Sequence, residues 1–112
     1  MTPATKNEAD KLIQTMVERI VGQFQPEKVI LFGSHARGDG SADSDADLLV
    51  VMNVSGSKRQ QAVQIDLALA GILLPADIIV ATPEDIRRYQ DSIGSIIREA
   101  LREGKVLYDR AA

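Results

Sequence analysis

Cysteine is absent from the 112 residues and histidine occurs once. Without a thiol there is no disulfide scaffold, zinc ribbon or thiol nucleophile, and a lone imidazole excludes a multi-histidine metal centre. Long apolar runs are missing too. The longest, Leu48 to Met52, falls far short of the roughly 20 residues a membrane helix needs. The opening segment, MTPATKNEAD, lacks the apolar stretch of a secretory leader, so a cytoplasmic location is the expectation. A basic excess is also lacking. Against 13 Lys and Arg stand 16 Asp and Glu, a net charge of -3 with a pI of about 5.1, which argues against a sequence-blind nucleic-acid binder. No repeat, low-complexity tract or Pro/Gly/Ser linker divides the chain, so residues 1–112 are expected to form one domain. Hydrophobic residues at 45% and charged residues at 26% are ordinary globular composition. A chain of this length buries roughly 65% of its unfolded surface, enough for a core without staples.

The apolar periodicity is legible. Leu12, Ile13, Met16, Val17, Ile20, Val21 and Phe24 recur at helical spacing between Lys6 and Phe24, and Pro26 closes that helix. Lys28 to Phe32 is a short apolar run ending in glycine, read as a strand buried on both faces. Gly33 to Ser44 reads as a loop with one helical turn, and Asp45 to Met52 as a second strand. Ser57 can cap a helix from Lys58 to about Gly71, and Ala76 to Ala81 forms a third strand. Thr82-Pro83-Glu84-Asp85 is a helix start: Thr caps, Pro suits the first turn, and two acids meet the positive helix end. The pattern continues to Leu101, with a break near Tyr89, and Gly104 stops it before a short last strand at Val106 to Tyr108. Alternating strands and helices predict an α/β (α+β) fold, a small mixed sheet with packed helices.

Chemistry concentrates in Gly33-Ser-His-Ala-Arg-Gly-Asp-Gly-Ser-Ala-Asp-Ser-Asp45-Ala-Asp47. Two readings of it fail. Gly33 to Gly38 has the glycine spacing of a P-loop, but Asp39-Gly40 replaces the lysine that would reach the phosphates. Asp43, Asp45 and Asp47 fit the start of an EF-hand loop, but Leu48 occupies the place of its turn glycine and Val54 that of its bidentate glutamate. A third reading holds. Gly33 lets backbone approach a ligand, and the amides and hydroxyl at Ser34 can cradle a phosphate. Asp45 and Asp47, two apart in a strand, point to one face, while Leu48, Val50 and Met52 point into the core. Asp77 likewise opens an apolar strand, and if the second and third strands pair it lies within about 5 Å of the Asp45/Asp47 strand. Three such carboxylates repel one another without a counterion. Hard oxygen ligands beside a phosphate cradle point to Mg²⁺ or Mn²⁺.

Gly33-Ser34, ten intervening residues and Asp45-Ala46-Asp47 form a Gly-Ser-x10-Asp-x-Asp pattern that resembles the signature of the polymerase β-like nucleotidyltransferases. The flanking ILFGSHARGDGSADSDADLLVV is especially similar to the minimal nucleotidyltransferases, and the likeness extends to the C-terminal EGKVLYD. The resemblance implies the nucleotidyltransferase fold. It implies metal-binding and catalytic carboxylates at Asp45, Asp47 and Asp77, nucleotide-phosphate binding at Gly33 and Ser34, two Mg²⁺ ions as cofactors, and ATP as substrate. Proteins of this family are commonly encoded beside a HEPN-domain protein in a pair resembling a toxin–antitoxin module. The resemblance therefore implies a HEPN partner that receives AMP on a tyrosine, with direct nucleic-acid or membrane partners disfavoured. Two alternatives stay open: a non-catalytic module that inhibits its partner by occlusion, and a transferase acting on a small molecule.

Other polar residues are read more plainly. Ser34 can serve as a helix cap as well as a phosphate ligand. Asp39 and Asp43 solvate the loop, Arg37 can bind phosphate or pair with a loop aspartate, the pairing being favoured, and His35 sits at the surface. Lys58 and Arg59 stand at a helix start, against the macrodipole, which suggests an anion or partner nearby. Arg87, Arg88, Arg98 and Arg102 form a solvated helical face that an acidic partner or RNA can contact.

Overall fold

The computed structural model describes residues 6–40 and 44–112. Helix α1 spans Lys6–Phe24, followed by β1 (Lys28–Phe32), the single turn α2 (Ser34–Arg37), β2 (Ala46–Val51), α3 (Lys58–Ala68), β3 (Ala76–Ala81), α4 (Pro83–Tyr89), α5 (Ile96–Glu103) and β4 (Lys105–Asp109). The sheet runs β3-β2-β1-β4, with β1 antiparallel to both β2 and β4, and β2 parallel to β3. This is the expected mixed sheet. The parallel pair requires a crossover, which α3 supplies.

Strand alternation sorts the core into two layers. Val29, Leu31, Leu48, Val50, Ile78 and Val80 face one way and meet Ile13, Met16 and Ile20 of α1 and Ile65 of α3. Ile30, Phe32, Leu49, Val51 and Ala81 face the other way and meet Ile97 and Ala100 of α5. Helices therefore cover both faces, and β2, like β1, is apolar on both sides. Complete burial of side chains such as Met16, Ile20 and Leu48 contributes about 1.5–3 kcal/mol each. No helix among the described residues is long and apolar enough to cross a membrane.

Local chemistry sets the element ends. Ser57 Oγ accepts from the Gln60 amide at 3.2 Å to start α3, and Thr82 and Asp85 form a reciprocal capping box on α4. Helix α3 ends at Ala68, earlier than its periodicity suggests: the Leu69 and Ala70 amides turn to the Asp66 and Leu67 carbonyls, Gly71 takes φ 89°, and Arg19 of α1 donates to the carbonyls of Ala68 and Ala70 at 3.3 and 2.9 Å. The break near Tyr89 separates two helices. Ser95 Oγ bonds the Tyr89 carbonyl at 3.0 Å and caps α5, while Gly94 turns the chain at φ 85°.

Candidate active site

The site begins where β1 runs out. Gly33 has φ 74° and ψ −155°, a conformation essentially restricted to glycine. Its missing side chain matters as much as its backbone: a Cβ there would collide with Asp47 Oδ2 and lie 3.2 Å from Asp47 Cγ. The Gly33 carbonyl accepts from the amides of Ala36 and Arg37, both at 3.1 Å, which starts α2. Gly38, at φ 87°, closes the turn by donating its amide to the Ser34 carbonyl. Buried Ala36 pins this turn to the core. The amides of Ser34 and His35 head the turn, where a helix has no internal acceptor for them, and no side chain caps them.

Beside that turn stands Asp47, in register with Phe32 on one side and with Asp77 on the other. All three residues occupy the α5 side of the sheet by strand alternation. Asp47 is half-buried, whereas Asp77 and Asp45, the latter one residue before the strand, are exposed. Burial pushes the Asp47 carboxyl above its ordinary value, the charges of Asp77 and then Asp45 push it further, and Glu99 of α5 adds to this; only His35 opposes. Among the described residues no Lys or Arg pairs with Asp45, Asp47 or Asp77. The result is an acidic set without an internal counterion, next to a run of open amides.

A comparison with known families meets this geometry. Residues 14–112 match the family described as Polymerase beta, Nucleotidyltransferase. The chain belongs to that family. A protein of Methanocaldococcus jannaschii, provisionally named a protein adenylyltransferase, is 34% identical over 102 residues, covering 88% of this chain and 97% of its own. A crystal structure from Sulfolobus solfataricus, described as a nucleotidyltransferase, superposes with a TM-score of 0.57 at 23% identity, over 95% of this chain and 85% of that one. A toxin–antitoxin structure with AMP-PNP superposes at 0.52 and 18% identity, over 86% and 73%. At those identities the two structures establish the fold.

Within this nucleotidyltransferase the sequence-derived candidates are distributed as follows. Gly33, Ser34, Asp47 and Asp77 meet across three adjacent elements, and Asp45 lies at their rim. The donor chemistry fits a hard divalent cation: carboxylate oxygens, unpaired, with the most buried one resisting ionisation. Among the described residues no three His, Cys, Asp or Glu side chains stand close enough to enclose an ion, so the set is open. Asp43 lies outside the described residues. Arg37 pairs with Asp39 at 3.6 Å, as anticipated.

Two assignments change. His35 is half-buried rather than a surface bystander. Its Nε2 donates to the Ser44 carbonyl at 2.9 Å, and its ring lies under Gly40, where a Cβ would come within 2.8 Å of His35 Cγ. It ties both ends of the loop together. The second is a narrowing: of the anion or partner expected near Lys58, the structure shows an anion within the protein, Asp85 Oδ2 at 2.8 Å. Glu99 went unnoticed in the sequence. Its place is set by the packing of α5, and its only local trace is its position beside the buried Ala100.

Proposed function

We propose that this nucleotidyltransferase moves AMP from ATP onto a side-chain hydroxyl, a tyrosine, of a HEPN-type toxin partner, and thereby acts as an antitoxin. The observation that carries the reading is the Asp47–Asp77 register pair lying directly beside the Gly33-Ser34 turn. One group of residues suits a triphosphate, and the other suits the reacting centre. The name of the M. jannaschii relative supports a protein acceptor, and the toxin–antitoxin structure with AMP-PNP supports a partnered nucleotide-binding fold.

In this reading the Ser34 hydroxyl and the leading amides of α2 donate to the β- and γ-phosphate oxygens. The acceptor oxygen attacks the α-phosphorus, the bond to the bridging oxygen breaks, and pyrophosphate leaves with the electron pair. The hydroxyl proton passes to Asp77, the exposed carboxylate nearest the open side. Asp45, Asp47 and Asp77 would hold two Mg²⁺ ions, or Mn²⁺, which supply charge neutralisation on the triphosphate and acidify the attacking hydroxyl. The exposure of Asp45 and Asp77 suits a macromolecular acceptor better than a small one.

The test couples binding to transfer. Mg²⁺-ATP at about 100 times its Kd should stabilise the fold by roughly 2.7 kcal/mol, and replacing Asp45 and Asp47 together by Ala should remove that gain. Mass spectrometry of a co-expressed HEPN partner should show one added adenylyl group on tyrosine, lost with Asp45→Ala. An unmodified partner inhibited equally by both forms would instead establish occlusion.

A further inference from the structure

Strand β3 is one edge of the sheet, and within its six residues it has no proline, no lysine and no register shift of the kinds that usually protect an edge. The Ala46 amide donates to the Pro75 carbonyl at 2.9 Å and the Met52 amide to the Ala81 carbonyl at 3.0 Å. Alternate residues of a parallel strand bond to the same neighbour. Asp77 and Ile79 therefore bond inward to β2, while the N–H and C=O groups of Ala76, Ile78 and Val80 face away from it. Among the described residues no backbone hydrogen bond takes up those outward groups. The strand keeps an unbroken six-residue register with β2, and its one charge is Asp77. The opposite edge is different: β4 opens with Lys105, and its register with β1 shifts between Val29 and Ile30, both of which blunt an edge.

Next to the open row, α3 exposes Val63 at 54% and Leu67 at 68%, one turn apart on a single helix face. A depression of about 220 Å³ runs between Val63 and the strand, reaching from Arg59 and Asp66 to Asp77 and Ile78, and Leu67 lines a neighbouring one with Pro75 and Ala76. The unpaired edge thus has the exposed α3 side chains on one face of the sheet and the Asp77 carboxylate on the other.

We infer that the β3 edge is the acceptor's docking site: an extended segment of the partner protein adds to the sheet as a fifth strand. This inference rests on the protein-adenylyltransferase reading. Strand side chains alternate between faces, and directly opposed residues lie about 4.5–5.5 Å apart. A residue opposite Asp77 on the carboxylate face therefore presents its hydroxyl to Asp77. Its two chain neighbours fall on the α3 face, against Val63 and Leu67. The segment recognised is a hydroxyl residue flanked on both sides by apolar residues. A second copy of this chain is the poorer occupant, since β3 has no cation to meet the Asp77 of its mate.

The experiment uses the full chain with Mg²⁺, ATP and a synthetic peptide carrying a central Tyr between two Val residues. Amide exchange at Ala76, Ile78 and Val80 should slow by about tenfold or more on peptide addition, with Asp77 and Ile79 little changed. Methylating alternate peptide nitrogens should abolish binding in one phase and spare it in the other. Replacing Val63 and Leu67 by Asp, both exposed, should weaken peptide binding and leave ATP binding intact. Unchanged exchange at saturating peptide, equal effects of both methylation phases, or protection arising from self-association without peptide would overturn the edge. AMP transfer to the peptide without protection would overturn the edge alone. Protection without transfer would support the edge and count against the transferase reading.

Discussion

Asp47 has Phe32 on one side, Asp77 on the other and the bare Cα of Gly33 against its carboxylate. Its proton is held above the ordinary value of 3.8 by burial first, and then by neighbouring acids. The sign follows from linkage: a raised carboxyl favours the fold in its neutral form, so that contribution is complete below the ordinary value and is lost as pH climbs through the raised one. At neutral pH, in chelator, the ionised group therefore opposes folding. Asp47→Asn keeps the shape and removes the charge. It should stabilise the metal-free protein by roughly 0.5–2 kcal/mol, the range of single stabilising substitutions, while eliminating nucleotidyl transfer. Thermal melts at pH 7, with and without the substitution, check this. A lower melting temperature for the Asn variant would mean that Asp47 contributes packing rather than strain.

The junction of α3 and α4 shows both what local sequence specifies and what it leaves open. Thr82-Pro83-Glu84-Asp85 spelled out a cap, and the Thr82 and Asp85 side chains do exchange bonds with each other's backbone at 3.0 and 3.1 Å. Such motifs are legible because every partner lies within four residues, as with the Ser57 cap. The Gly-Ser turn and the paired aspartates were legible for the same reason. Asp85 also takes Lys58 from 27 residues away, and the register of Asp47 with Asp77 spans 30 positions. No local spacing encodes those contacts; they come from the crossover and from the apolar faces that dock it. The Lys58 ammonium, followed by the Thr82 amide, holds Asp85 below its usual range. That support is present above the ordinary carboxyl value and is lost as pH falls through the lowered one, opposite in slope to Asp47. Thr82→Ala should cost about 0.5–2 kcal/mol, and Lys58→Met roughly 0.2–1 kcal/mol because the pair is partly solvated. Urea titrations at pH 7 and at a series of falling pH values separate the two: the Lys58 effect should fade only as the pH drops through the lowered Asp85 value, below the ordinary carboxyl range, and the Thr82 hydroxyl's share should persist.

At the scale of the whole molecule, the sheet is largely committed to its own core. Helices α1 and α3 seal one face and α5 much of the other, and the carboxylates emerge at one end, where Asp45 and Asp77 meet solvent. In-line transfer depends above all on holding the acceptor oxygen against the α-phosphorus, an effect that can supply ~7–11 kcal/mol of the barrier. A phosphate turn and an open acid cluster can orient the nucleotide, but Asp45 and Asp77 stand exposed at the rim of the sheet, with little of the described chain around them to hold the other reactant. A folded partner that presents its hydroxyl on an ordered segment would provide the nucleophile and the missing wall together. The chain by itself should therefore bind Mg²⁺-ATP yet release pyrophosphate slowly. Adding the proposed HEPN-type partner should start release that stops at about one equivalent per acceptor hydroxyl, since each site is consumed when modified. A coupled pyrophosphate assay run with chain alone, with partner, and with partner whose acceptor tyrosine is Phe distinguishes the cases. Rapid transfer to water or to a simple alcohol by the chain alone would place the acceptor site within this subunit and favour a small-molecule substrate.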